Sequence, residues 1–305
     1  MITIIGPTAC GKTSLAVALA RRLDTEIISG DSRQVYRNMD IGTGKDLSEY
    51  IVDGKEVPYH LIDIVPAGSK YNIFNFQRDF LKAYGEITAR GKEPVFCGGS
   101  GLYVESILRG YRLFDVPQNP QLRESLQGES LAELTKILSS FKKLHNKTDV
   151  DTAQRAIRAI EIETFYQSIP AEQRSFPEIP NVTFCVKIPR DLRRRLITQR
   201  LHSRLDEGMV EEVRQLLDSG ITPEDLIYYG LEYKFITLYL TGKLSYDQMA
   251  HELEIAIHQF SKRQLTWFRG MERRGLEIHW LDGTLPMEEK LEIILNKIKS
   301  DVDQK

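Results

Sequence analysis

Ile2 to Ile5 is a short, mostly apolar run, long enough for one buried strand. Leu15, Ala16, Ala18, Leu19 and Leu23 follow at helical spacing, and Glu26 to Ser32 reads as a second buried strand that ends in a carboxylate. Tyr59 to Val65 predicts a further strand. Phe76, Phe80, Leu81, Tyr84 and Ile87 predict a helix over 74–89. Glu93 to Cys97 is a strand that runs into the glycine turn Gly98-Gly-Ser-Gly101, and Leu102 to Arg109 continues as a helix. Strand and helix alternate as far as residue 110. That alternation predicts an α/β fold, a parallel sheet with helices on both faces.

The pattern changes after Gly110. Ser130 to Leu144 and Thr148 to Phe165 are amphipathic helices with no strand-like run between them, and a polar, proline-marked loop follows from Ser168 to Asn181. Residues 114–181 therefore predict a mostly helical insertion domain, leaving a core of 1–113 and 182–305. Val182 to Ile188 returns to the sheet, and a long basic helix follows Pro189. Helices are expected over 209–219, 223–240 and 245–274, then a strand over 277–281 and a helix over 288–298.

Composition adds few constraints to the 305-residue chain. The net charge is −2, and no window of about 18 or more apolar residues predicts a membrane span. The first strand begins at residue 2, so no leader is expected and a cytoplasmic location follows. Nothing in the chain requires more than a monomer. The three cysteines, Cys10, Cys97 and Cys185, are scattered and form no CxxC pair. Positive charge is clustered around Arg190 to Arg204 and again around Lys262 to Arg274, which suits an anionic partner or a solvated helix face.

Chemistry enters with Gly6-Pro7-Thr8-Ala9-Cys10-Gly11-Lys12-Thr13, which matches G-x-x-x-x-G-K-[ST] between a strand and a helix. Glycines let the backbone form a nest of N–H donors, the helix directs its positive end there, and Lys12 adds a mobile charge. Thr13 can place its hydroxyl on a phosphate-bound Mg²⁺. The loop reads phosphates and says nothing about the group attached to them. No Asn-Lys-x-Asp guanine motif is present, and no apolar strand ends in Asp-Glu, which weakens GTPase and ATPase readings. A small-molecule or nucleoside kinase remains open at this point.

Further segments carry a resemblance. Asp31-Ser32 with Tyr36 and Met39-Asp-Ile-Gly-Thr43, His60-Leu-Ile-Asp-Ile64 and Gly98-Gly-Ser-Gly-Leu-Tyr103 are three of them. Arg155-Ala-Ile-Arg-Ala-Ile-Glu161 and Lys262-Arg-Gln-Leu-Thr-Trp-Phe-Arg269 complete the set. Together with the phosphate loop, the chain resembles the tRNA dimethylallyltransferase family, in that family's order and over nearly its whole length. Some RNA-facing positions depart from the family pattern, among them His145-Asn-Lys-Thr-Asp149 before the Arg155 helix and His258-Gln259 before Lys262.

The resemblance implies that the loop Gly6 to Thr13 holds the diphosphate of dimethylallyl diphosphate, with Lys12, Thr13 and Mg²⁺ stabilising it as a leaving group. Arg204 resembles the family's diphosphate-clamping arginine, with Arg200 one helical turn earlier as the second choice. Asp31 is the expected general base toward an adenine exocyclic amine. Ser32, Arg33, Gln34 and Ser100 are expected near the RNA, with Lys262 and Arg263. Arg123, Gln154, Arg155 and Arg158 on the insertion are expected to contact an anticodon stem-loop, with Arg155 and Arg158 on one helix face. Salt bridging to Glu161 is their alternative. Tyr103, Trp267 and Phe268 are stacking candidates, although core packing is the expectation for Trp267 and Phe268.

Overall fold

The structure is a computed structural model that describes residues 1–144, 148–170 and 176–303. Part of the segment around His145 and part of the loop from Ser168 lie outside the described residues. The chain divides into two compact units, Met1–Gly110 with Glu178–Lys305, and Tyr111–Pro177. The first four residues after Pro177 thus belong to the larger unit. There the Met1 ammonium donates to the Pro180 carbonyl at 2.8 Å, just before the chain re-enters the sheet.

The larger unit is built on six parallel strands: β1 (Ile2–Ile5), β2 (Ile27–Ser29), β3 (Tyr59–His60), β4 (Val95–Gly98), β5 (Val182–Lys187) and β6 (His279–Asp282). Their order is β6-β5-β1-β4-β2-β3, with β1 between β5 and β4. Alternation along the strands sorts the two faces. Ile2, Ile4, Val95, Cys97, Phe184 and Val186 pack with Leu15 and Leu19 of α1 (Lys12–Arg22). Phe96 points the other way, onto Phe76 and Phe80 of α2 (Ile73–Ala89), with ring centroids 6.4 and 4.9 Å away. The parallel sheet flanked by helices is thus the observed fold.

Two predicted elements differ. Tyr59 to Val65 is not one strand, because Leu61 and Asp63 take positive φ of 63° and 57°. The strand ends at His60, and Val65–Pro66 pairs instead with Tyr36–Arg37 in a separate ribbon. The helix expected over 223–240 is two, broken at Gly230 with φ 126°. Elsewhere the elements after β4 follow the pattern closely: α3 (Gly101–Leu108), and α4 (Pro120–Ser125), α5 (Leu131–Phe141) and α6 (Ala153–Gln167) in the insertion. Then come α7 (Arg190–Asp206), α8 (Met209–Asp218), α9 (Pro223–Tyr228), α10 (Leu231–Leu240), α11 (Tyr246–Arg273) and α12 (Met287–Asp303).

The insertion has its own small core of Leu126, Leu134, Leu138, Ala156, Ala159 and Ile160. Beside it, the carboxylate of Glu161 is 1% exposed and accepts both ends of the Arg123 guanidinium at 2.7 and 2.8 Å. Arg158 adds a contact at 3.0 Å, and the Asn119 amide one at 2.8 Å. Hydrogen bonding to the Arg123 guanidinium, opposed by burial and reinforced by the Asn119 amide and Arg158, holds the Glu161 carboxyl down at about 2.

Candidate active site

Ile5 delivers the chain into the phosphate loop at the carboxyl end of β1. Gly6 is required there: a Cβ would stand 2.6 Å from the Cys10 sulfur and 3.0 Å from the Val186 carbonyl. Ala9 and Gly11 both adopt left-handed backbone, with φ of 59° and 77°, and this alternation turns successive N–H groups toward one concavity. Helix α1 starts at Lys12. Gly6, Pro7 and Cys10 are buried behind the loop, whereas Thr8, Ala9, Gly11, Lys12 and Thr13 face open space. Burial pushes the Cys10 thiol up, so the loop contains no activated thiolate.

Strands β2 and β4 end at the same edge of the sheet, where ligand crevices of such folds lie. Beyond Ser29, Gly30 gives way to Asp31, and beyond Gly98 the turn presents Ser100. Gly98 and Gly30 lie so close that a Cβ on Gly98 would meet the Gly30 carbonyl oxygen at 2.5 Å. The two turns are joined by the Ser32 amide, which donates to the Ser100 hydroxyl at 3.0 Å. Asp31 accepts from the Arg33 amide through one oxygen at 2.8 Å.

A cavity of about 340 Å³ brings Lys12, Thr13, Asp31, Ser32, Arg33, Gln34, Ser100, Arg200 and Arg204 together. A second opening of about 480 Å³ runs along Ala9 to Ser14 and is lined by the same two arginines, with Asp46 and Glu49. Arg200 and Arg204 both reach the Asp46 carboxylate from one face of α7, and Arg204 is the more buried, at 12% against 34% exposed. Gly44 makes this possible, since a Cβ on it would lie 2.1 Å from the Arg204 guanidinium.

The loop over 33–45 is only partly a lining. Gly42, Thr43 and Gly44 face the cavity, but Lys45 is buried and paired with Asp40 and Asp63. Glu212 of α8 accepts from the amides of Asp40, Ile41 and Gly42 at 2.7, 2.7 and 3.0 Å, and from the Tyr233 hydroxyl at 2.7 Å. One carboxylate thereby fixes the loop and the α10 end of the cavity.

Some lining residues carry little or no signal in the sequence. Glu232 follows the Gly230 break and enters the cavity beside Arg204, Arg200 and Asp31, where burial pushes its carboxyl up. Gln264 lies within the Lys262-Arg-Gln run but points inward. It accepts from the Thr8 amide at 2.9 Å and donates to the Gly99 carbonyl at 2.9 Å, tying the phosphate loop to the β4 turn. That run was its only available signal.

Other expected site residues lie outside the cavity. Lys262 and Arg263 are exposed on the outer face of α11. On the insertion, Arg155 is exposed and pairs with Asp151, and Gln154 is exposed. Arg123 and Arg158 do not present free guanidinium groups, because the buried Glu161 claims both. Arg155 and Arg158 accordingly turn to different partners, Asp151 and Glu161. Phe268 is fully buried, but Trp267 is 39% exposed and so is not the core residue expected. Tyr103 packs on Phe76, with ring centroids 4.7 Å apart.

A family model described as IPP transferase matches residues 34–271, well over half of the chain. The chain belongs to the IPP transferase family. A second model, isopentenyl transferase, matches residues 1–57, the phosphate-loop end of this IPP transferase. A protein named tRNA dimethylallyltransferase 2 from Phocaeicola vulgatus is 66% identical over 296 residues, spanning 97% of this chain and 96% of that protein. The tRNA dimethylallyltransferase 1 of Parabacteroides distasonis is 62% identical over 291 residues, spanning 95% of each. Among solved structures, the full-length tRNA isopentenylpyrophosphate transferase of Bacillus halodurans superposes with a TM-score of 0.72 at 30% identity, covering 99% of this chain and 96% of that one. A eukaryotic dimethylallyltransferase solved in action on tRNA shares the fold, with a TM-score of 0.76 at 22% identity over 93% of this chain and 74% of that one.

Proposed function

We propose that this chain is a tRNA dimethylallyltransferase. It moves the dimethylallyl group of dimethylallyl diphosphate to the N6 amine of the adenosine 3′ to the anticodon, in tRNAs reading codons that start with U. The observation that carries this reading is one cavity in which a phosphate loop, a paired arginine clamp and the acceptor-side carboxylate Asp31 all open together. The names of the close relatives support the acceptor as tRNA.

In this reading, the amides of the loop, Lys12, Arg200 and Arg204 hold the diphosphate and stabilise the charge that develops as the allylic C–O bond breaks. The adenine leaves its stack and enters the cavity from the Ser32, Gln34 and Ser100 side. Its amine nitrogen forms the new C–N bond, Asp31 accepts the proton, and diphosphate departs. Thr13 is a suitable ligand for Mg²⁺, which takes one or two protein oxygens, water and substrate phosphates for the remainder. Asp31 lines the same cavity. When bound, the ion supplies charge neutralisation to the leaving group.

No helix among the described residues is long and apolar enough to cross a membrane. We place the enzyme in the cytoplasm, acting as a monomer. Incubation with labelled dimethylallyl diphosphate, Mg²⁺ and unmodified tRNA tests the reading, with AMP and ATP as controls. Label should enter tRNA. Label in AMP alone makes the chain an adenylate isopentenyltransferase, and γ-phosphate transfer from ATP makes it a kinase.

A further inference from the structure

The short turn Leu47–Tyr50 is fastened to the phosphate-loop side of the site. Asp46, just before it, accepts from Arg200 and Arg204, and Glu49 accepts from the Ser14 hydroxyl of α1 at 2.9 Å. Both acids line the opening along Ala9 to Ser14. Tyr50, the last residue of the turn, is 3% exposed and belongs to the apolar core around Leu15, Val57 and Cys97. Its ring meets that of Tyr59 edge-on with centroids 4.9 Å apart, and its carbonyl accepts from the Val57 amide at 2.8 Å. Packing thus fixes the side chain before any ligand arrives.

A buried phenol ordinarily finds a hydrogen-bond partner. The Tyr50 hydroxyl makes no hydrogen bond among the described residues, and it is not one of the polar atoms sealed in the core. What opening it has is into the cavity, which Tyr50 lines together with Lys12, Thr13 and Asp31. Burial pushes the phenol up, and the acidic groups Cys97, Glu49, Tyr59 and Asp31 push the same way, so it keeps its proton and offers it to an acceptor. Asp31 takes the Arg33 amide and not this hydroxyl. The acceptor is therefore left to the ligand, and the phosphate-loop side of the cavity is where the diphosphate oxygens enter. A neutral hydroxyl suits that place. Its bond to an anion is among the stronger ones, and, unlike Arg200 and Arg204, it has no carboxylate to release first.

We propose that Tyr50 is a further catalytic residue, its hydroxyl donating to an oxygen of the allylic diphosphate and holding the leaving group against the phosphate loop. The assignment rests on the transferase reading above. It gives the leaving group a neutral donor in addition to the cations of Lys12, Arg200 and Arg204.

The Y50F protein, which keeps the ring and its packing, tests it by calorimetry with inorganic pyrophosphate and Mg²⁺. Pyrophosphate should bind roughly tenfold more weakly than to the unaltered protein, the range for a hydrogen bond to a charged group. The KM for dimethylallyl diphosphate should rise with it, and the tRNA dissociation constant should not move. A hydroxyl without a protein partner adds nothing to the fold, so Y50F should melt at or above the wild-type temperature. Weaker pyrophosphate binding together with a lower melting temperature makes the hydroxyl structural and overturns the proposal. Wild-type pyrophosphate affinity in Y50F also overturns it, and an upward move of the acid limb of the kcat profile would then assign the hydroxyl to Asp31. If the unaltered protein binds pyrophosphate and Y50F loses it, but no dimethylallyl group enters tRNA, the transferase reading fails while the anion contact of Tyr50 stands.

Discussion

The carboxylate of Asp46 accepts from the guanidinium of Arg204 at 3.2 Å while also accepting from Arg200. Both arginines line the opening along the phosphate loop, so a side-chain anion already occupies the groups that the proposed diphosphate clamp would use. In the proposed reading, diphosphate displaces it. Because Asp46 is 38% exposed, the contact is worth little more than an ordinary surface pair. D46N should therefore tighten binding of inorganic pyrophosphate by about fivefold, read by calorimetry. Weaker binding in D46N makes Asp46 an organiser of the arginines, not a competitor.

Gly44 holds that arrangement from the other side. Its φ is +65°, and an added Cβ would overlap the Arg204 guanidinium at 2.1 Å. G44A should raise the KM for dimethylallyl diphosphate at least tenfold, with a fold cost of about 1 kcal/mol from the left-handed backbone. The tRNA dissociation constant should stay near that of the wild type.

Asp31 faces the cavity with one oxygen engaged by the Arg33 amide. D31A should cut turnover by about 10²–10⁴, the usual contribution of a general base, and change tRNA affinity far less. Single-turnover prenylation of bound tRNA separates the two. Normal turnover with collapsed binding would falsify the assignment.

Glu161 gives a stability prediction with a defined pH window. Its folded carboxyl lies near 2, below the unfolded value near 4.5, so its stabilisation is present above the unfolded value and is lost as pH falls toward 2. At pH 7, E161A should destabilise the insertion by about 3 kcal/mol, since two arginines lose their partner. The difference in melting temperature between wild type and E161Q should shrink steadily between pH 5 and pH 2.

Glu232 predicts the opposite sign. Burial raises its carboxyl, so the charged form costs stability as pH rises through the folded value. E232Q should melt higher than wild type at pH 8 and converge with it in acid. Its turnover should fall, because the arginines and Asp31 lose a neighbouring charge. A lower melting temperature at pH 8 would mean that attraction to Arg200 and Arg204 outweighs desolvation.

Local sequence determined much of this protein. The phosphate loop is a local device: Gly6 must be small, Ala9 and Gly11 turn the amides, and α1 follows at once, so eight residues specify the nest. Apolar runs of four and helical spacing likewise mark β1, β4, α1 and α2, because each element buries its own periodic face. Tertiary structure decided what no window of sequence contains. Asp46 and Arg204 are 158 residues apart, Thr8 and Gln264 256 apart, and Glu105 and Arg274 169 apart. Such pairs meet only through the packing of sequence-distant elements around the sheet. The same holds for which charges are free. Arg123 and Arg158 read as candidate RNA contacts, yet the buried Glu161 pairs with both, whereas Trp267 reads as core and is partly exposed. Burial of a charge or a ring depends on what distant chain covers it, and spacing along the sequence does not carry that information.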